Sequence, residues 1–221
     1  MVMQPPQQLG TLLDLEPGET VQLRNVDWAE FETILANMGD RRASRIAYFD
    51  AVLEIRMPLP KHEKAKVLIG DVVKILLEEL DLDSESFGSS TFKRQTMTAG
   101  IEPDDCFYIE NADRVIGKDR IDLSVDPPPD LAIEVDVMSS TGLEAYQALG
   151  VPELWRFEDG KLSINLLNNG LYGSSLTSAH FPQFDVIAQV EQVISRSQTL
   201  GRSKALKTFR QEIRAVIATL N

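Results

Sequence analysis

The 221 residues are 43% hydrophobic and 25% charged, a balance that fits one compact domain or a domain with small appendages. The single cysteine, Cys106, excludes an internal disulfide, and no run reaches the ~18 consecutive apolar residues of a membrane span. A net charge of -12 argues against a generic nucleic-acid binder, because phosphate contacts need a positive footprint.

The opening MVMQPPQQLGTLLDLEPGE has no basic region leading into an apolar one. No secretory leader is expected, the cytoplasm is the expected compartment, and residues 1–18 are expected to be loosely held. In NVDWAEFETILANMG, Asp27 and Glu30 make a capping-box-like pair, Trp28, Phe31, Ile34, Leu35 and Met38 recur at helical spacing, and Gly39 stops the helix. ASRIAYFDAVLEIRMPLP alternates around FDA, with Ile46, Tyr48, Leu53 and Ile55 as inward residues of a hairpin ended by Pro58 and Pro60. KHEKAKVLIGDVVKILLEEL carries Ala65, Leu68, Ile69, Val72, Val73, Leu76, Leu77 and Leu80 on one stripe, so a long helix with one face in the core follows. The next three strand-like runs, STFKRQT, DCFYIEN and LAIEVDV, are expected to share a sheet, with a longer loop at 111–129. STGLEAYQALG is a short helix ending at Gly150, and PELWRFEDGKLSINLL is a hairpin turning at Asp159–Gly160. Amphipathic helices near 182–195 and 201–220 finish the chain, which gives a mixed α/β domain.

PPPDLAIEVD, residues 127–136, reads as a strand that ends in acid. Residues two apart in a strand share a face, so Ala132, Glu134 and Asp136 point one way while Leu131, Ile133, Val135 and Val137 point the other. Like charges about 7 Å apart on a half-buried face repel and lose hydration, which a divalent cation or hydrogen-bond donors would offset. The alternative is an exposed edge strand, where charges are ordinary and protective. In GIEPDDCFYIEN, Pro103 and Asp104 introduce a strand expected to pair with the one carrying Glu134, which brings Asp104 to the same spot. Two or three convergent carboxylates suit a hard cation such as Mg²⁺, whose octahedron waters and substrate complete. Glu63, in the first turn of the long helix between His62 and Lys64, is a third candidate; the alternative is an acid favoured there only by the helix dipole.

An acid after proline on one strand, then an acid on the next strand with a helix following, resembles the PD-(D/E)XK nuclease core. LPKHEKAKVLIGDVVKILLEEL, GSSTFKR, GIEPDDCFYI, PPPDLAIEVDVMSS and YQALGVPELWRF, in that order over roughly residues 20–170, resemble the Uma-two (Uma2) family of restriction-endonuclease-like proteins. The resemblance implies an α/β (α+β) fold, a mixed β-sheet flanked by helices, here with an extra N-terminal hairpin and C-terminal helices. Its expected limits are a core over 19–180 and a helical extension over 181–221 packed on that core. It implies metal-dependent hydrolysis of nucleic-acid phosphodiesters, DNA before RNA, with Mg²⁺ or Mn²⁺ as cofactor. By the same similarity Asp104 matches the acid of the PD element, Glu134 the acid of the next element and Glu63 the helix acid. Asp104 and Glu134 would hold the metal, with the Val135 carbonyl as an added ligand.

Where the superfamily carries lysine this chain has Asp136, and an ionised carboxylate donates no hydrogen bond. Lys93, on the strand before Asp104, is the candidate substitute across one strand spacing of ~4.8 Å, with Asp136 as a supporting or second-metal ligand; an exposed strand charge is the alternative. A different class of function is a catalytically impaired nuclease-fold module that binds or regulates a partner through its last helix. That helix, GRSKALKTFRQEIR, concentrates Arg202, Lys204, Lys207, Arg210 and Arg214 against Glu212 alone. The stripe either meets nucleic acid or pairs with acids of the same chain or of a second subunit in a homodimer. Trp155 and Tyr146 read as core packing, Gln147 as solvent-facing, His180 as structural and Cys106 as a small core residue rather than a nucleophile.

Overall fold

The capping pair legible in the sequence starts the first helix. The Asp27 carboxylate accepts from the Glu30 amide at 2.9 Å and the Glu30 carboxylate accepts from the Asp27 amide at 3.0 Å, so two orphan donors at the helix start are satisfied reciprocally. This helix, α1 (Trp28–Met38), stops at Gly39, whose φ of 72° costs a residue without Cβ nothing. It buries Phe31, Ile34, Leu35 and Met38 against a hairpin of β3 (Arg45–Phe49) and β4 (Val52–Arg56). Ile46, Tyr48, Leu53 and Ile55 of the hairpin face α1, as their alternation predicts. Asp50 and Ala51 turn it at φ 45° and 63°, the mirror-image turn whose twist matches the flanking strands.

The computed structural model describes residues 2–3, 15–39, 43–135 and 138–220. The expectation of a loose segment over 1–18 falls largely on positions outside that set. The described strands form two sheets. The first runs β1 (Val2–Met3), β2 (Thr20–Arg24), β4, β3, β7 (Ala99–Ile101), β6 (Phe92–Arg94). The second runs β12 (Leu171–Ser175), β11 (Lys161–Asn168), β10 (Glu153–Glu158), β9 (Leu131–Val135), β8 (Asp105–Tyr108), β5 (Glu85–Ser86). Within the second sheet only β9 and β10 are parallel. They are joined by α3 (Ser140–Leu149), the crossover helix that a parallel pair requires.

Three apolar layers separate these elements. The stripe on α2 (Pro60–Glu79) meets Leu131, Ile133 and Val135 of β9, together with Val190 of α4 (Val186–Leu200) and Phe209 and Ile213 of α5 (Arg202–Leu220). On the other face of the second sheet, Cys106, Tyr108, Ala132 and Leu154 pack against α3 and against Ala47, Phe92, Ala99 and Ile101 of the first sheet. The third layer lies between the first sheet and α1. The fold is therefore mixed α+β, with helices outside and between two sheets.

The mixed α+β fold flanked by helices is the one expected, with its strands divided between two sheets. One expectation needs correction: STFKRQT, DCFYIEN and LAIEVDV do not share one sheet. Asp105–Tyr108 and Leu131–Val135 pair antiparallel, Asp105 opposite Ile133, but Phe92–Arg94 pairs with Ala99–Ile101 in the first sheet. The cause is local: a single 3-10 turn at Gln95–Met97, closed by Thr98 at φ 46°, folds Phe92–Arg94 back on the residues that follow. The chain then crosses between sheets at 102–104. Glu102 N–H donates to Ile46 O at 3.0 Å on the first sheet, and Asp104 N–H donates to Ile133 O at 3.1 Å on the second.

Candidate functional site

β9 lies between β8 and β10, and all five of its residues are buried. The exposed-edge alternative for Glu134 therefore fails: its carboxylate points into the space between the sheets, on the face it shares with Ala132. Asp136, its expected neighbour, lies outside the described residues, as does Val137. Asp104 stands across from Glu134 at the crossing point, and its Oδ2 accepts from the Val135 amide at 2.8 Å in a buried contact. That bond ties the two acids to one strand end and fixes the Asp104 rotamer.

The first sheet supplies the opposite charge. Arg45 and Arg56 are direct cross-strand partners at the open end of the β3–β4 hairpin, an arrangement that like charges disfavour unless anions intervene. The anions do intervene. Arg56 Nη2 lies 3.1 Å from Glu134 Oε2 and 3.8 Å from Asp104 Oδ2, while Nη1 lies 3.5 Å from the Val135 carbonyl. Arg45 Nε is 3.6 Å from Asp104 Oδ1, and its Nη2 is 3.9 Å from Glu63. The two arginine side chains are 12% and 17% exposed, and those of Asp104 and Glu134 are 5% and 7% exposed. On the far side of Glu134, the Tyr146 hydroxyl donates to Oε1 at 2.7 Å. Burial raises the Glu134 pKa to about 7, with the charge of Asp104 adding to the rise and Arg56, Tyr146 and Arg45 opposing it. Burial and the neighbouring Glu134 likewise raise Tyr146, which keeps its proton to donate.

The adjacent acid faces the other way. Asp105 points at α2, where a Cβ on Gly70 would sit 2.5 Å from its Oδ2. Gly70 is thus the gap in the helix that admits the carboxylate. Burial raises the Asp105 pKa, against the pull of the Cys106 amide and of Lys74 and Lys66.

The remaining candidates are spread. Glu63 is 46% exposed in the first turn of α2, bridged by Lys66 at 3.1 Å and reaching Asp104 only through Arg45. Lys93 is on the α1 side of the first sheet, with Nζ 2.7 Å from both oxygens of Glu32. Among the described residues no cluster of three or more His, Cys, Asp or Glu is gathered to hold an ion. The site that the structure does assemble is Asp104, Glu134, the Val135 carbonyl, Arg45, Arg56 and Tyr146. It opens on a cleft between the sheets, lined also by Glu54, Glu102 and Ser139. Trp155 and Tyr146 are fully buried, as expected, and the site role of the Tyr146 hydroxyl is an addition. Cys106 is buried, with its thiol pushed up by burial, which removes it as a nucleophile.

The donor set fits a divalent cation. Two carboxylates and a backbone carbonyl are hard oxygen ligands, the number that Mg²⁺ takes from a protein while water and substrate fill the rest. Moreover, the three oxygens already converge on one positive group, the Arg56 guanidinium.

Comparison with known proteins gives the family of the chain. The family model described as Uma2, "Putative restriction endonuclease", matches residues 28–200. A solved structure from Anabaena variabilis, described as a putative nuclease belonging to DUF820, aligns at 14% identity and a TM-score of 0.43, over 62% of this chain and 83% of that one. No curated protein matches.

Proposed function

This chain belongs to the Uma2 family, and from that premise we propose that it is a metal-dependent endonuclease that hydrolyses phosphodiester bonds of nucleic acid, DNA before RNA, at the Asp104–Glu134 junction. The observation that carries the proposal is the convergence of Asp104, Glu134 and the Val135 carbonyl on a single cation at the edge of an open cleft. Asp104, Glu134 and Val135 O would hold Mg²⁺ or Mn²⁺. When bound, such an ion lowers the pKa of water and polarises a phosphate. The Val135 amide and the Tyr146 hydroxyl fix the two carboxylates, so that their lone pairs are aimed before any ligand arrives. Arg45 and Arg56 supply positive charge beside these two acids in a chain of net charge -12. The burial of all four charged side chains keeps their interactions strong.

One observation favours a second reading, a nuclease fold that binds without cutting. Lys93, the candidate for the missing lysine, is held by Glu32. Incubation of the purified protein with supercoiled plasmid and with single-stranded DNA, with Mg²⁺, Mn²⁺ or EDTA, separates the two. The nuclease reading expects cleavage only with metal, reduced at least about 10²-fold in Asp104→Asn and in Glu134→Gln. Absence of cleavage on every substrate, with DNA still bound, would establish the binding module instead.

A further inference from the structure

We infer that Arg56 is a built-in competitor for the divalent cation: its guanidinium fills the position that Asp104, Glu134 and the Val135 carbonyl define, and metal enters only when Arg56 turns out into the cleft. The inference rests on the metal-centre reading above and adds to it a condition on metal binding.

The geometry separates the two arginines. Arg56 touches each of the three oxygens, at 3.1, 3.8 and 3.5 Å. Arg45 reaches the other oxygen of Asp104 and then Glu63, so it neutralises charge beside the position without filling it. A dication and a guanidinium cannot share that position, because like charges a few ångströms apart in a partly buried site repel strongly. Of the three oxygens only Glu134 Oε2 is held closely by Arg56, and the 3.8 Å approach to Asp104 is too long for a hydrogen bond. Its stem comes from the end of β4 and lines the cleft, the direction in which the head group would turn.

The consequence is quantitative. Metal binds only to the population in which Arg56 is out, so the apparent affinity is lowered by that fraction, and a side chain unable to fill the position restores it. The same competition protects the acids in the metal-free protein, where burying two carboxylates without a counter-charge is costly.

The test is calorimetric titration of Mn²⁺ into the wild type, Arg56→Met and Arg45→Met at one pH, with folding checked by circular dichroism. Arg56→Met is expected to bind Mn²⁺ roughly tenfold tighter than the wild type, and Arg45→Met much less so. Equal tightening in both variants would reduce the effect to local charge and overturn the competition. Wild-type binding with no tightening in Arg56→Met would overturn it too, while leaving the nuclease reading intact. Binding in neither protein would overturn both. Because Arg56→Met can lose its fold, the wild type carries a second measurement, the side-chain Nε–H resonance of Arg56, assigned by its absence in Arg56→Lys. Saturating Mg²⁺ is expected to shift that resonance toward the position of a solvent-exposed arginine; a resonance that stays in place would overturn the proposal.

Discussion

Arginine meets carboxylate in two regions of this molecule, with opposite outcomes. On the outer seam between α2 and α5, Arg210 binds Glu79 and Glu78 at 2.6 and 2.7 Å, and Arg214 binds Glu79 at 2.7 Å. Each contact is short, and Arg214 is 64% exposed. In the cleft the charges are covered, yet most contacts run from 3.5 to 3.9 Å, and Arg45 Nε is buried with no hydrogen-bond partner among the described residues. Side chains free to move in water settle into good geometry at little cost, whereas those in the cleft are held by two different sheets and stop short of it. The seam is a finished ion-pair network, and the cleft is a set of covered charges with incomplete pairing, the condition that the proposed metal centre uses.

The sharpest way to break this comparison is to remove one acid from each region and unfold the variants in urea with EDTA present. Glu134→Ala removes the carboxylate 3.1 Å from the covered Arg56 guanidinium and leaves the buried Tyr146 hydroxyl without this acceptor, so a loss of roughly 3–5 kcal/mol is expected. Glu79→Ala leaves Arg210 with Glu78 and both arginines in reach of water, for a loss of about 1 kcal/mol or less. Equal losses would mean that the cleft is as open as the seam.

The two regions also respond to pH with opposite sign. Arg214 first, then Arg210, holds the Glu79 carboxyl below the usual range, so its contribution is present at neutral pH and fades as pH falls through its folded pKa. Glu134 rises from 4.5 to about 7. Between those values the folded state binds more protons than the unfolded one, so stability falls as pH rises through that window, by on the order of 2–3 kcal/mol in the metal-free protein. Glu134→Gln, which cannot titrate, is expected to flatten this part of the stability curve measured by urea unfolding in EDTA. A wild-type curve that rises from pH 4.5 to 7 with the same slope as the variant would show that Glu134 is ionised at little cost.

The part of this chemistry that lies within one strand was legible in the sequence. Alternation along LAIEVDV places Glu134 opposite Ile133, and the proline before Asp104 marks a strand start, so the acid pair could be found. Whether that face is wet could not be read, because it depends on β9 lying between β8 and β10 and on a second sheet arriving across it. Arg45 and Arg56 were missed for the same reason. In the hairpin pattern they occupy the polar face opposite Ile46 and Ile55, where solvent is the default, and only the packing of the first sheet on α3 covers that face. Tyr146 was read correctly as core, but a buried tyrosine hydroxyl needs a partner, and that requirement was the unused signal for its role. The Asn169–Gly170 turn, with φ of 51° and 80°, was a similar unused signal for β12.

The smallest effect expected is at the helix that charge alone would nominate for nucleic acid. Of the five basic residues in its first turns, Arg202 pairs with Asp71, and Arg210 and Arg214 pair with Glu78 and Glu79, all on α2 of the same chain. Arg202 and Arg210 reach α2 acids at 2.6–2.7 Å, so these cations are already neutralised. Lys204 and Lys207 are exposed, but α5 packs on α2, against the face of the second sheet that carries Leu131, Ile133 and Val135, while Glu134 opens on the opposite face. A nucleic acid seated in the cleft would therefore have the whole sheet between its backbone and these lysines. Lys204→Gln with Lys207→Gln is expected to leave the slope of log affinity against log salt for a DNA duplex unchanged to within about one unit. A drop of about one unit per lysine would move the contact surface to α5, and the complementarity of the seam would then have to be read as a basic face that its own acids only partly cover.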